Sequence, residues 1–279
     1  MTLRSRWRPG DRFLIRHRDP ALLVVEKKAG LLTVPTRADR GDDLIALLEE
    51  VVGRPSRRKV LFAVHRLDRP VSGLLVVARR ADAWKGLVAQ FAAHDVERRY
   101  IAAVAGVLPD EGGTFESFLR SQPGSLRMYS DPGDEGRHAV THWHVIERYP
   151  KADATLVEVW LETGLRNQIR VHFSEAGFPL LGEQKYLDRE DEDASAKQGT
   201  RRIFLHAAVL GFVHPLTGLP MRFEAPLPPD LAAWKRKLES GNQGRPSPHS
   251  PAPRSGEAPR TRSAPRRTRP KLRWKRKKK

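Results

Sequence analysis

Two short apolar runs, Val60–Val64 and Leu74–Ala78, enclose the polar segment His65-Arg66-Leu67-Asp68-Arg69-Pro70-Val71-Ser72-Gly73. Runs this short and this rich in β-branched residues read as buried strands. Further strands are predicted at 22–28, ending in a turn at Ala29-Gly30 with a second apolar stretch at Leu31–Val34, and at Tyr100–Val107, Thr155–Leu161, Phe204–Val213 and Met221–Phe223. Apolar residues recur at helical spacing in Leu44, Leu47, Leu48 and Val51, stopped by Gly53, and in Trp84, Leu87, Val88 and Phe91. Two more helices are predicted, at about Arg166–Ala176 and near Asp230–Leu238. Strands and helices alternate without a βαβ period, and several gaps are of hairpin length. The fold class is therefore α+β, a mixed, mostly antiparallel sheet with flanking helices, rather than a doubly wound nucleotide-binding sheet. No solenoid-length repeat is visible.

Charge divides the chain. The formal net charge is +18, but Ser240–Lys279 holds 14 Lys and Arg against one acid, Glu257, so residues 1–239 carry only +5. The tail also holds seven of the 22 prolines and almost no large apolar residue besides Leu272 and Trp274. Such a segment cannot bury enough surface to offset its ordering entropy. The domain expectation is thus one folded unit over 1–239 and a disordered Pro/Arg/Lys-rich tail over 240–279. The tail reads either as a sequence-independent arm on nucleic-acid phosphates or as a solubilising extension. Cysteine is absent, which excludes disulfides and thiolate metal sites and is natural for an intracellular protein. The first residues lack the apolar core of a secretory signal, and no apolar run approaches the roughly 20 residues that span a bilayer. The expectation is a cytoplasmic protein, with no membrane and no demand for more than a monomer.

The richest candidate chemistry is the 65–73 segment, where Asp68 lies between Arg66 and Arg69. Short connections between strands often carry chemistry, because a rigid sheet fixes the loop. An arginine within reach favours the carboxylate that a nucleophile or base must present. The alternative is an ordinary surface ion pair closing a turn. A second constellation is Thr163-Gly164-Leu165-Arg166-Asn167-Gln168-Ile169-Arg170-Val171-His172. Arg166 and Arg170, at i and i+4, are expected on one helix face, with Asn167 and Gln168 as donors near the helix start. The alternative there is a solvated basic face. His138, His142 and His144 lack a third ligand at a recognisable spacing, so no metal is expected. Glycine-rich phosphate loops and a serine nucleophile elbow are also absent, so no nucleotide cofactor is expected.

The ordered set of motifs resembles the RluA family of RNA pseudouridine synthases, over almost all of residues 12–226. It comprises VVEKKAGLLTVP, HRLDRPVSGLLVVAR, ERRYIAAVAGVL, TGLRNQIRVHFSEAGFPLLGEQKY and FLHAAVLGFVHPLTG. The resemblance implies an isomerase that converts uridine to pseudouridine in ribosomal or transfer RNA by flipping the base and cleaving its glycosidic bond. It needs no cofactor or metal. It implies Asp68 as catalytic carboxylate, acting as nucleophile or as base at the ribose. Tyr100 would stack on the flipped uracil, Arg170 would pair with Asp68, and Arg66 would enter the RNA helix. Arg66, Arg69, Arg166 and Gln168 are the candidate RNA contacts.

The sequence departs from the family pattern at Val71, where threonine is usual, and at Leu165-Arg166-Asn167-Gln168, where Arg-Thr-His-Gln is common. Many relatives carry a small N-terminal RNA-binding domain, for which roughly 20 residues before the first matched strand are too few. The basic tail is expected to supply that affinity. A catalytically inactive RNA-binding protein on the same fold is disfavoured because Asp68, Tyr100 and Arg170 are all present. A glycosidase or metal nuclease is disfavoured because no second carboxylate or acidic cluster stands beside the motifs.

Overall fold

Strand residues 22–27 and 72–78 are buried along their whole length, as happens only when both faces of a sheet are covered. The computed structural model describes residues 7–36, 42–53, 61–125, 127–133, 135–187, 202–243 and 273–276. In chain order its elements are β1 (Phe13–Arg18), β2 (Leu22–Lys27), α1 (Leu44–Val52), β3 (Phe62–Ala63), β4 (Ser72–Ala78), α2 (Ala81–Ala92), β5 (Glu97–Ala105), β6 (Gly112–Ser121) and β7 (Met128–Ser130). There follow β8 (Arg137–Tyr149), β9 (Ala154–Leu161), α3 (Gln168–Glu175), β10 (Leu205–Val213), β11 (Pro220–Glu224), α4 (Pro229–Gln243) and β12 (Arg273–Arg276). The strands form one sheet in the order β1-β2-β4-β10-β5-β9-β8-β6-β12, with β3, β7 and β11 attached to β4, β6 and β10. The pairing of β4 with β10 is parallel and the other named pairs are antiparallel, as the α+β reading expects.

The period-2 alternation of strands distributes the apolar residues to two cores. Leu23, Val25, Leu75 and Val77 face one core together with Tyr100, Ala102 and Val104, and α1 and α3 close it with Leu44, Leu48, Ile169 and Phe173. Leu22, Val24, Leu74 and Val76 face the other side, where α2 buries Ala83 and Leu87. Further along that side, Phe204, Leu231 and Leu238 form a separate cluster under α4. Helix α1 begins where Asp43 accepts a hydrogen bond from the backbone N–H of Ala46 at 3.1 Å, an N-cap worth about 1 kcal/mol. It ends at Gly53, whose φ of 79° suits a residue without Cβ.

Some sequence expectations are shifted. Val60 lies outside the described residues, and its run contributes only the two-residue β3. Leu31–Val34 forms no strand; Leu32 makes a single bridge to Asp43. Thr33 instead turns its hydroxyl to the backbone of Leu67, donating to its carbonyl at 2.9 Å and accepting from its N–H at 3.2 Å. Arg166 precedes α3, because Asn167 adopts a left-handed conformation (φ 54°) that starts the helix at Gln168. Arg166 and Arg170 therefore do not share a helix face. The acidic stretch 190–199 and most of the tail lie outside the described residues. Within the tail segment, α4 runs on to Gln243. Arg273–Arg276 pairs with Glu116–Gly113 as β12, adding a strand to the edge that β6 presents.

Candidate active site

The loop from β3 to β4 carries Asp68, and its backbone is held from several sides. The N–H of Val71 donates to the carbonyl of Asp68 at 3.0 Å, closing a turn, and the N–H of Gly30 donates to the carbonyl of Arg69 at 2.7 Å. Lys27 is fully buried, and its ammonium reaches three carbonyls: Lys28 at 3.0 Å, Leu31 at 2.7 Å and Arg69 at 3.4 Å. Burial and the nearby charge of Arg202 push the Lys27 amine down to about 7, against the pull of Asp68. At the loop's exit Gly73 has φ 121°, and a Cβ there would sit 2.2 Å from the backbone oxygen of Ala207. Only glycine allows β10 to come so close. His65, first in the motif, is structural. Its ring stacks on Phe91 (centroids 4.5 Å apart) and accepts the N–H of Val76 at 3.1 Å, and burial and Arg98 push it down to about 3.

Three elements converge on Asp68. Its loop approaches β5, which supplies Tyr100, and α3, which supplies Arg170, around a cleft of about 60 Å³ whose apolar walls include Val71, Ile169 and Leu205. Tyr100 is 8% exposed; burial raises its hydroxyl above the ordinary phenol value, and Asp68 adds to that while Arg98 opposes it. Arg170 Nη1 stands 3.6 Å from Asp68 Oδ2. The guanidinium's closer partner is Glu183, fully buried, which takes Nε and Nη2 each at 2.7 Å in a two-pronged pair. Burial works against the charge of both groups. For Arg170 it is outweighed by Glu183 and Asp68, so its value is raised; for Glu183 it is outweighed by Arg170 and the N–H groups of Lys185 and Gln184, so its value is lowered.

The remaining sequence candidates separate. Arg66, Arg69 and Arg166 are exposed; Arg66 lines the cleft, whereas Arg69 lines a second groove and donates through Nε to the carbonyl of Gly30 at 3.0 Å. Gln168 does not belong with them. It is 2% exposed and donates to Val140 O and Thr141 Oγ1, both at 3.0 Å, while its amide oxygen accepts from Thr163 Oγ1 and Leu165 N–H. Both ends of its amide are used inside the fold, so it is corrected from an RNA contact to a brace of the cleft wall. The sequence does not single out Glu183 or Tyr186, and it marks Asn167 only as a donor near a helix start. Glu183 follows the apolar run Phe178-Pro179-Leu180-Leu181 after Gly182, with no local pattern that marks it. Val71 is 3% exposed among apolar neighbours, so the hydroxyl absent there leaves no polar position unfilled by its side chain. His142 bonds Thr114 Oγ1 at 2.8 Å and Glu162 at 2.6 Å, and no cluster of three metal-ligating side chains occurs among the described residues. A larger groove of about 800 Å³ lies behind Arg69 and Pro70, against Trp234 of α4. Its one carboxylate, Asp230, is bound to Arg202 at 3.0 Å, so the reactive groups belong to the smaller cleft.

A carboxylate, a buried phenol and a guanidinium thus line one cleft, with Arg66 at its edge. The RNA pseudouridylate synthase family profile matches residues 21–175. A Bacillus subtilis protein described as the uncharacterized RNA pseudouridine synthase YlyB is 38% identical over 78% of this chain and 70% of its own. Ribosomal large subunit pseudouridine synthase D of Pseudomonas aeruginosa is 40% identical over 78% of this chain and 69% of its own. Human RNA pseudouridylate synthase domain containing 1 shares the fold, with a TM-score of 0.63 at 23% identity, covering 87% of this chain and all of that one. The chain belongs to the RNA pseudouridylate synthase family, in its RluA branch, and is an isomerase of uridine in RNA. No helix among the described residues is long and apolar enough to cross a membrane.

Proposed function

We propose that this enzyme modifies ribosomal RNA and that Asp68 opens the glycosidic bond. The observation that carries the reading is the meeting of Asp68, Tyr100 and Arg170, from three separate elements, in one small cleft. The ribosomal substrate is favoured because relatives at 37–40% identity are named as large-subunit ribosomal enzymes. Base extrusion costs a few kcal/mol. Arg66, exposed at the rim, fills the vacated stack, while Arg69 and Arg166 take phosphates on either side. Tyr100, held as a phenol by burial, offers its ring to the uracil. Asp68 breaks the N1–C1′ bond, by attack at C1′ or by removing a ribose proton; the freed base turns and C5 joins C1′. The proton that leaves C5 is matched by one gained at N1, so atoms and electrons balance within the nucleoside. The cleft is too small to admit a base without side chains yielding, which fits a site assembled around its substrate. The enzyme acts as a monomer in the cytoplasm.

The test is a carbodiimide-based pseudouridine map of total RNA from cells lacking the gene, complemented with wild type or Asp68→Ala. A ribosomal site that vanishes on deletion, returns with wild type and stays absent with Asp68→Ala is the expected result. Return of the site with Asp68→Ala overturns the assignment of Asp68; a site found only in transfer RNA overturns the substrate.

A further inference from the structure

Arg170, the expected partner of Asp68, stands 3.6 Å away with its fork committed to Glu183. Another side chain comes closer. With its amide nitrogen turned to Asp68, Asn167 donates to Oδ2 at 2.5 Å and lies 3.2 Å from Oδ1, while its amide oxygen accepts from the Tyr186 hydroxyl at 2.6 Å and from Lys185 Nζ at 3.3 Å. The opposite amide orientation keeps a long 3.4 Å contact from Arg170 but sets the amide oxygen against the carboxylate. In that orientation the amide nitrogen donates to the Tyr186 hydroxyl at 2.6 Å, so this oxygen must accept twice, from Asn167 and from the N–H of Met128 at 3.2 Å. The first orientation gives Asp68 a donor and the Tyr186 hydroxyl an acceptor, losing only the long contact from Arg170.

We propose that Asn167 is a positioning residue for the reaction, the middle member of a Tyr186–Asn167–Asp68 relay that aims the catalytic carboxylate. The proposal rests on the assignment of Asp68 above. Asparagine suits this place for two reasons. Its backbone is left-handed (φ 54°, ψ 19°), a conformation Asn tolerates better than most side chains. Its amide presents a donor to Asp68 and an acceptor to Tyr186 at once, without adding a charge to a site that is 8% exposed. Histidine, common at this position in relatives by the sequence resemblance, combines the same two roles only in its neutral form. The neutral amide makes the aim of Asp68 independent of pH in the working range.

The experiment uses the full chain and a ribosomal RNA transcript, comparing wild type with Asn167→Gly, Asn167→His, Tyr186→Phe and Asp68→Ala. Glycine removes the amide without straining the left-handed backbone, so folding is kept. Asn167→Gly is expected to lower kcat by about 10- to 100-fold, as loss of about an ångström of aim does, with KM and RNA affinity within about threefold. Tyr186→Phe gives a smaller loss of the same kind, and Asn167→His recovers part of kcat above neutral pH. An Asn167→Gly enzyme with unaltered kcat, or one impaired in KM alone, overturns the relay. Activity in Asp68→Ala instead overturns the assignment on which the relay rests, so the two failures are distinguishable.

Discussion

The Arg170–Glu183 pair should be worth far more than a surface ion pair, and its strength can be worked out from its geometry. Both N–H···O bonds are 2.7 Å long, and the side chains are 9% and 0% exposed. Two charge-assisted bonds at about 1.5–3 kcal/mol each give about 3–6 kcal/mol. Breaking a buried pair from one side costs a similar 3–5 kcal/mol, because a charge is left unpaired. Glu183→Gln should therefore cost about 3 kcal/mol or more, lowering Tm by about 10 °C for a domain of this size. Arg170→Met should cost a comparable amount. The double variant Glu183→Gln/Arg170→Met should cost little more than either single, a coupling of about 3 kcal/mol. Urea unfolding at pH 7 followed by tryptophan fluorescence measures all three. In the same samples Glu183→Gln should lower kcat, since the released guanidinium can close the 3.6 Å gap and mask Asp68. A coupling below about 1 kcal/mol would place the pair with exposed ones and refute the reasoning.

Lys27 makes a pH prediction. Its amine titrates near 7 in the fold and at 10.5 when unfolded, so the unfolded chain binds the extra proton between those values and stability rises with pH across that window. The stability of wild type minus that of Lys27→Met should grow from pH 7 to pH 10 by about 3–4 kcal/mol; parallel urea midpoints across that range would contradict it. Gly73→Ala should cost at least about 3 kcal/mol, because a Cβ 2.2 Å from the Ala207 carbonyl must displace backbone at a φ that alanine resists; a Tm within 2–3 °C of wild type, under about 1 kcal/mol, would refute the close approach. Deleting residues 244–279, which removes 14 Lys and Arg, should weaken RNA binding and flatten its dependence on log salt. An unchanged slope in filter binding would remove the tail from the interface.

What was legible in the sequence depended on whether local pattern and tertiary role coincided. β2 and β4 are apolar throughout because both faces are covered, so they stood out, and the polar loop between β3 and β4 stood out against them. β1, β6 and β8 did not. In β8 the alternation is interrupted by a register shift between Val145 and Glu147, and polar residues such as His142 are satisfied across the strands. The helical spacing of Arg166 and Arg170 misled because one left-handed residue, Asn167, resets where the helix begins. Gln168 has the composition of a ligand-binding residue but spends its amide on Thr141, Val140 and Thr163, partners far away in sequence or in the preceding turn. Glu183 and Tyr186 reach the site by packing of the segment after α3, which no local pattern encodes.

The close approach of β4 and β10 has a consequence for biosynthesis. Ser72 Oγ lies 2.8 Å from His206 Nδ1 across 134 residues of chain, and β10 is the strand that joins β4 to β5. Asp68 leads into β4 and Tyr100 sits on β5, so within the sheet the two are joined through a strand translated long after both. At roughly 5–20 residues per second, β4 waits about 7–27 s for its neighbour to leave the ribosome. The segment matched to the family, residues 21–175, contains Asp68, Tyr100 and Arg170 yet lacks β10. A nascent chain therefore holds Asp68, Tyr100 and Arg170 well before it holds the strand that joins β4 to β5.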